Sequence, residues 1–434
     1  MPISRDPTGA VLSALENEDG VSFLTGRAGT GKTTLIRRFT ESTQKQFVVL
    51  APTGIAAINA GGATLHSFFK LPSRFIGPED DKIKAFGPRT QTGRIIAQMD
   101  TLIIDEVSMV RADLLDAIDF SLRLNTGTEQ PFGGKQVVLV GDLLQLPPVV
   151  TREERPVLHE FYETPYFFSA RVMQALHLTG LELRTVFRQS DPDFIQLLDA
   201  FRTGELEAPQ LDALNERVRD ESEDQAHFTM HLCPTNGQAS VINQTRLAAL
   251  KAEARTFPAQ IKGDFPERIF PTEGRMTLKV GAQVIFLRND PYRRWVNGSM
   301  GRVVELGEKR VCVETENGLA HEVDPVSWEN ISYRFDATSG RIQQKKMGSF
   351  TQYPLKLAWA ITIHKSQGLT FEHVRLDLGK GIFAPGQLYV ALSRCRSLEG
   401  LKLSRPVGWR DIRVDPVVTG FLQQIQARSA LRLG

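Results

Sequence analysis

The stretch Gly26-Arg27-Ala28-Gly29-Thr30-Gly31-Lys32-Thr33 constrains this chain most, because it fits G-x-x-x-x-G-K-[ST] at every fixed position. Glycines at that spacing let successive backbone N–H groups wrap a polyphosphate, and a following helix adds its positive end. Lys32 would then meet the β/γ-phosphates, and the Thr33 hydroxyl would ligate Mg²⁺. The apolar run 21–24 before the loop and the helical pattern 32–39 after it supply the strand and helix such a loop needs. A glycine-rich turn without a ligand is the competing reading.

Further apolar runs at 47–50, 102–104 and 136–140 alternate with helical patterns such as 112–124. That texture predicts an α/β fold with a parallel sheet buried on both faces. A second α/β stretch begins near Leu183, with helical patterns at 193–202 and 210–218, an acidic loop at 220–224 and a strand-like run at 230–233. It resumes near Phe350. Between about Ala254 and Gly348 the runs shorten and alternate, at 283–287, 301–306, 311–315 and 320–323, separated by Gly, Asn and Pro. Short strands at close spacing predict a small β-barrel inserted into the second α/β domain. Its segment Tyr292-Arg293-Arg294-Trp295, ahead of the Asn297-Gly298 turn, suits contact with a duplex or displaced strand. Alternatively, Trp295 packs in the barrel and the arginines are solvated.

At 434 residues, 41% hydrophobic and 24% charged, the chain has the balance of a globular protein too long for one core. A formal net charge of +2 means that any basic binding surface is local. Cys233, Cys312 and Cys395 are too few and too scattered for a disulfide framework or a CxxC metal site. Residues 1–19 hold no apolar leader, and no run reaches the roughly 18 apolar residues of a membrane span. A cytoplasmic protein without a membrane partner is expected.

Asp105-Glu106 ends an apolar run, so Asp105 would hold Mg²⁺ through water and Glu106 would take a proton from the attacking water. The pair would equally suit a helix cap. Gly141-Asp142 follows the next apolar run and places Gln145 to sense the γ-phosphate, unless the segment is a plain turn; Pro147 and Pro148 keep it from becoming a helix. Arg188 in Phe187-Arg188-Gln189 and Arg394 in Tyr389-Val390-Ala391-Leu392-Ser393-Arg394 are candidates for the positive charge that phosphoryl transfer needs. Both lie in the second α/β stretch. If both reach the phosphate loop, ATP sits at a seam whose width changes on hydrolysis; otherwise they are surface residues. Pro52-Thr53-Gly54, Thr64-Leu65-His66-Ser67-Phe68-Phe69, Thr235-Asn236 and Thr362-Ile363-His364-Lys365-Ser366-Gln367-Gly368 offer hydroxyls, amides and Lys365 to a phosphate backbone, with His66, Phe68 or Phe69 to stack on bases. The alternative makes both phenylalanines core and the Thr and Asn residues caps.

In order, these segments resemble the motifs of superfamily 1B helicases, and in particular the PIF family of 5′-to-3′ DNA helicases. The resemblance runs from Gly26-Thr33 through Asp105-Glu106-Val107-Ser108-Met109 and Gly141 to Val149 into Gln387 to Arg394. Residues 109–138, with Phe132-Gly133-Gly134-Lys135-Gln136, favour this family over the related RecD-type helicases. In the insert, Val280-Gly281-Ala282-Gln283-Val284 and Asn297-Gly298-Ser299-Met300-Gly301 are also similar.

The resemblance implies two RecA-like P-loop domains. The first spans 1–182 with a small insertion near 61–75; the second combines 183–253 and 349–434 around an SH3-like barrel with a hairpin at 254–348. It also implies ATP and Mg²⁺ as cofactors, with single-stranded DNA and tailed or forked duplex as partners of a chain that is monomeric when free. Catalysis falls to Lys32, Glu106, Gln145, Arg188 and Arg394, and magnesium binding to Thr33 and Asp105. Gly26, Ala28, Gly29, Thr30, Gly31, Lys32, Thr33 and Thr34 hold the nucleotide, with Gln367 and Gly368 close by. Pro52, Thr53, Gly54, Thr64, His66, Ser67, Phe68, Thr235, Asn236, Thr362, His364 and Lys365 lie along the strand. One departure concerns the base: such helicases often read adenine with a glutamine ahead of the loop, and residues 1–21 contain none. Two other functions compete, a phosphotransferase acting on a small metabolite and a nucleic-acid-gated ATPase switch that does not unwind.

Overall fold

The run ahead of the glycine loop forms the strand Val21–Gly26, whose six residues are all buried. A strand buried on both faces needs neighbours and covering helices. It pairs in parallel with Gln136–Val140 on one side and Leu178–Leu183 on the other. The sheet continues through Thr101–Ile104 and Phe47–Ala51 to the short edge strand Ala63–Thr64, parallel throughout. Because Thr101–Ile104, Gln136–Val140 and Val21–Gly26 are adjacent, Asp105-Glu106, Gly141-Asp142 and the glycine loop emerge side by side at their carboxyl ends. Ligands bind α/β sheets at that edge. Helix Lys32–Ser42 is held behind the loop by the buried Leu35, Ile36 and Phe39. Each such side chain contributes roughly 1.5–3 kcal/mol, enough to keep the loop on a rigid base.

This computed structural model describes residues 7–72, 74–220, 228–336, 338–379 and 381–428. The acidic loop expected at 220–224 lies outside the described residues except for Asp220. The second α/β unit is a four-stranded parallel sheet ordered Ala360–Thr362, Thr229–Cys233, His373–Leu376 and Leu401–Leu403. Its core takes in Ala28 and Leu146 of the first unit, so apolar packing runs through the seam.

The insert centres on an antiparallel sheet ordered Ala320–Val323, Val311–Thr315, Met300–Leu306, Gln283–Phe286 and Leu355–Leu357. Trp295 belongs to its core, stacked on Phe286 with ring centroids 4.4 Å apart. Arg294 is held by both carboxylate oxygens of Asp290, at 3.0 and 2.7 Å. Of the four residues expected to face DNA, Trp295 is therefore core and Arg294 is committed to the loop's own structure, leaving Tyr292 and Arg293 exposed.

Two further features tie the units together. The hairpin Val326–Asp336 and Arg341–Gln352 leaves the barrel and lies on the first sheet. There the Tyr333 hydroxyl accepts from the Val49 amide at 2.9 Å and donates to its carbonyl at 3.1 Å. Gln46 and Gln91 accept from the Ile342 and Phe335 amides, each at 2.9 Å. Helix Pro416–Arg428 falls in the segment that chain order groups with the second domain, yet it packs on the first. Phe421 stacks on Phe168 at 4.1 Å, and Val418 and Ile425 enter the first core.

Candidate active site and nucleic-acid cleft

Gly29 and Gly31 take φ of +80° and +81°, the left-handed region that glycine adopts without strain. Gly29 has a second constraint, since a Cβ there would stand 2.5 Å from the Cβ of Arg188. The second unit thus presses its arginine loop directly on the phosphate loop. Lys32 donates to the carbonyls of Gly26 at 2.7 Å and Arg27 at 3.0 Å. Burial lowers its pKa, against the pull of Asp142 and Glu106.

Glu106 has φ +52°, in the left-handed region, and its carboxylate accepts from Gln367 of the second unit. Burial, then the Asp105 charge, pushes its pKa up to about 7, the range suited to a general base. Burial likewise raises Asp105. A continuous polar chain crosses the seam here. Arg202 donates to Asp142 Oδ1 at 3.1 Å, and Gln145 donates to Asp142 Oδ2 at 3.2 Å. Gln367 then donates to Gln145 Oε1 at 3.2 Å and to Glu106 Oε2 at 3.1 Å. Although burial opposes its charge, Arg202 and Lys32 hold the Asp142 carboxyl below the usual range.

Arg394 is 1% exposed and donates to the carbonyls of Val390, Ser366 and Leu369 and to the Ser393 hydroxyl. Arg188 makes only two bonds, 3.4 Å to Ser393 O and 3.3 Å to Gly368 O. Burial and the neighbouring Arg188 lower the Arg394 pKa well below its ordinary value, with Glu106 acting against them.

The residue reading missed three contacts that close the seam. The Tyr389 hydroxyl accepts from the Ala28 amide at 3.0 Å, Asp199 pairs with Arg27 at 2.7 Å, and Arg202 holds Asp142. Arg202 left a signal: on helix Pro192–Thr203 it continues the row of buried Phe194 and Leu198, where a charge needs a partner.

The donor set fits Mg²⁺. The Thr33 hydroxyl and Asp105 carboxylate are hard oxygen ligands, and among the described residues no cluster of three His, Cys, Asp or Glu forms an all-protein cage. Mg²⁺ characteristically takes one or two carboxylates together with substrate phosphates and water. Beside the phosphate loop, a cavity of about 480 Å³ is lined by Thr8, Gly31, Thr34, Arg38 and Phe187. Phe187 is 76% exposed and its ring lies within 3.9 Å of where a Gly31 Cβ would be. An exposed aromatic face beside the phosphate loop is able to stack on a planar ring.

Five of the DNA candidates share one cleft. A cavity of about 460 Å³ joins Pro52, Thr53, Gly54, Thr64 and His66 to Val149 and to Arg268 of the insert. Thr235-Asn236 and Thr362-His364-Lys365 follow two neighbouring strands of the second sheet. The Thr53, Thr64, Thr235 and Thr362 oxygens all accept a backbone amide three residues on. Thr53, Thr64 and Thr235 are N-caps whose hydroxyl protons are not used in capping, whereas Thr362 is buried. Burial lowers the pKa of both His66 and His364, so they act as neutral rings. Ser67 is exposed beside them. Phe68 corrects the expectation: it is 7% exposed, packed edge-on against Phe69 and Tyr333, and has no face left for a base. Phe69 is fully buried.

The family model described as PIF1-like helicase matches residues 8–212. The ATP-dependent DNA helicase Pif1 of Bdellovibrio bacteriovorus is 34% identical over 96% of this chain and 91% of its own length. This chain belongs to the PIF1-like helicase family. It spans about three fifths of the longer vertebrate members. A crystal structure of Bacteroides sp Pif1 in complex with ADP-AlF4 has 37% identity and a TM-score of 0.90, covering 98% of this chain and 97% of that one. The structure of Bacteroides Pif1 bound to ssDNA, with 38% identity and the same coverage, has a TM-score of 0.69. As a PIF1-like helicase the chain is an ATP-hydrolysing enzyme with two RecA-like domains and an antiparallel insert in the second.

Proposed function

We propose that this enzyme hydrolyses ATP at the seam of its motor domains to move 5′ to 3′ along single-stranded DNA and to unwind tailed or forked duplex. The observation that carries this reading is the chain Arg202–Asp142–Gln145–Gln367–Glu106, in which both domains share the hydrogen bonds of the general base. Gln367 holds Glu106 Oε2 and Gln145 Oε1 together, so a water brought to both residues at the γ-phosphate competes with this amide for those oxygens. Occupation and hydrolysis of the γ-phosphate site would therefore rearrange a contact between domains, and cleft residues stand on both of them.

In this reading Lys32 and the loop amides bind the phosphates, while Mg²⁺ held by Thr33 and Asp105 neutralises charge on them. Gln145 and Glu106 orient the water and take its proton, and Arg188 and Arg394 stabilise the charge that develops. The change in TM-score between the two Bacteroides Pif1 structures supports a shift in domain arrangement when DNA is engaged. No helix among the described residues is long and apolar enough to cross a membrane. We place the enzyme in the cytoplasm, free as a monomer.

Strand displacement on duplexes carrying only a 5′ or only a 3′ tail tests the direction. Unwinding of the 5′-tailed duplex is the expected result, and efficient unwinding of the 3′-tailed duplex alone would reverse the assignment. ATP turnover that ignores single-stranded DNA would point instead to a metabolite phosphotransferase, and DNA-stimulated turnover without strand displacement to a switch. For the base pocket, Phe187→Ala is expected to raise the KM for ATP roughly 5- to 150-fold, the scale of one base–aromatic stack, with a smaller effect on kcat. An unchanged KM would move the base elsewhere.

A further inference from the structure

Phe383 stands outside every motif considered above, and no burial explains its position. It is 55% exposed, yet its backbone is fixed on both sides. Its amide donates to Gln387 Oε1 at 3.1 Å, and its carbonyl accepts from Arg413 Nη1 at 3.2 Å. Gln387 is itself fully buried. An aromatic ring held in water on a fixed backbone gains nothing from the hydrophobic effect until something covers it. The ring lies nearly parallel to that of His364, with 13° between planes and centroids 6.3 Å apart.

Both rings line a cavity of about 390 Å³ shared by the two motor domains, with Pro148, Val149, Arg155 and Tyr166 from the first and Asp415 from the second. Val149 lines this cavity and also the cleft that contains Thr53 and His66, so the two adjoin. The charged lining is mixed, Arg155 alongside Asp415, whose carboxylate accepts from the Tyr166 hydroxyl at 2.9 Å, among prolines and aromatic rings. Such a lining suits a flat apolar group with polar edges, attached to a strand already in the adjoining cleft.

We propose that Phe383, with His364 beside it, is a stacking platform for one unpaired nucleobase of the single strand. The proposal rests on the reading of the cleft as a single-strand channel. Stacking on an aromatic face is indifferent to which base is present, which suits a motor that must pass every sequence.

The test compares the full chain with Phe383→Ala, Phe383→Leu and Phe383→Tyr on an oligothymidine and on an abasic strand of equal length and charge. Melting temperature monitors the fold. Phe383→Ala is expected to weaken oligothymidine binding roughly 5- to 150-fold, leave abasic binding within about twofold, and leave the salt slope unchanged because phosphate contacts persist. Phe383→Tyr restores binding and Phe383→Leu does not. Equal losses on both strands, no loss on either, or rescue by leucine overturns the platform while the single-strand channel stands. If the wild-type chain binds neither strand, the channel reading itself fails, and the platform with it.

Discussion

Glu106→Gln is expected to lower DNA-stimulated ATP hydrolysis roughly 10²–10⁴-fold, the contribution of a positioned general base, and to leave nucleotide binding largely intact. Lys32→Ala is expected to lose both. The two differ because Lys32 spans the phosphate loop, whereas Glu106 follows a strand two places away in the sheet and bonds Gln367 rather than the loop. Glutamine keeps the size of that side chain and its hydrogen bonding but cannot take a proton. The pH profile gives a second readout. With its pKa raised by burial to about 7, Glu106 in the free enzyme is protonated, and inactive as a base, on the acid side of that value. The kcat/KM for ATP should therefore rise with pH and level off above about 7, and this acid limb should vanish in Glu106→Gln. Wild-type turnover in Glu106→Gln, or a limb that survives the substitution, would assign the proton to another group. Equilibrium nucleotide binding measured alongside separates lost chemistry from a lost site.

How far the site was legible follows from where each residue's partners lie. The loop, Asp105-Glu106 and Gly141-Asp142 were readable because each directly follows an apolar run, and strand ends deliver their residues to one edge of a parallel sheet. Their partners were not. Arg202 meets Asp142 and Tyr389 meets Ala28 across sequence separations of 60 and 361 residues, and no local period records such a meeting. The same holds for Tyr333. No alternating run was read between 326 and 352; a hairpin on the barrel came only from the resemblance, which does not say what surface it covers, and here Val49 and Phe68 of the other domain meet it. Phe68 was misread for the complementary reason: an aromatic next to polar cap residues looks available until the element that packs on it is known. The base pocket we propose was out of reach because Arg38 and Phe187 come from segments well apart in the chain and line one cavity only once the fold has formed. Helix Pro416–Arg428 shows that chain order alone is a poor guide to where a terminal element packs.

Arg188→Ala and Arg394→Ala are each expected to cut DNA-stimulated hydrolysis by roughly 10³-fold or more, the scale of an arginine finger, with a modest loss of DNA binding. Such a loss corresponds to about 4 kcal/mol of transition-state stabilisation. The two substitutions are not equivalent tests. Arg394 satisfies two buried carbonyls and a partly buried one, and leaving even one buried carbonyl unpaired costs about 1–3 kcal/mol of stability. Arg394→Ala should therefore lower the melting temperature as well as turnover. Arg394→Lys restores a charge but not the planar fork that reaches several acceptors at once, so stability and turnover should recover only in part. Arg188 gives the cleaner result. Its bonds of 3.3–3.4 Å are long, it is only partly buried, and its Cβ rests against Gly29 of the phosphate loop. Burial and the neighbouring Arg188 lower the Arg394 pKa, as expected when two like charges face a site shaped for a polyanion. Binding of a triphosphate relieves that repulsion, so Arg188→Ala should weaken ATP affinity as well as slow its hydrolysis. Near-normal DNA-stimulated turnover in both alanine variants would sink the motor in which one domain supplies the phosphate loop and the other its counter-charge.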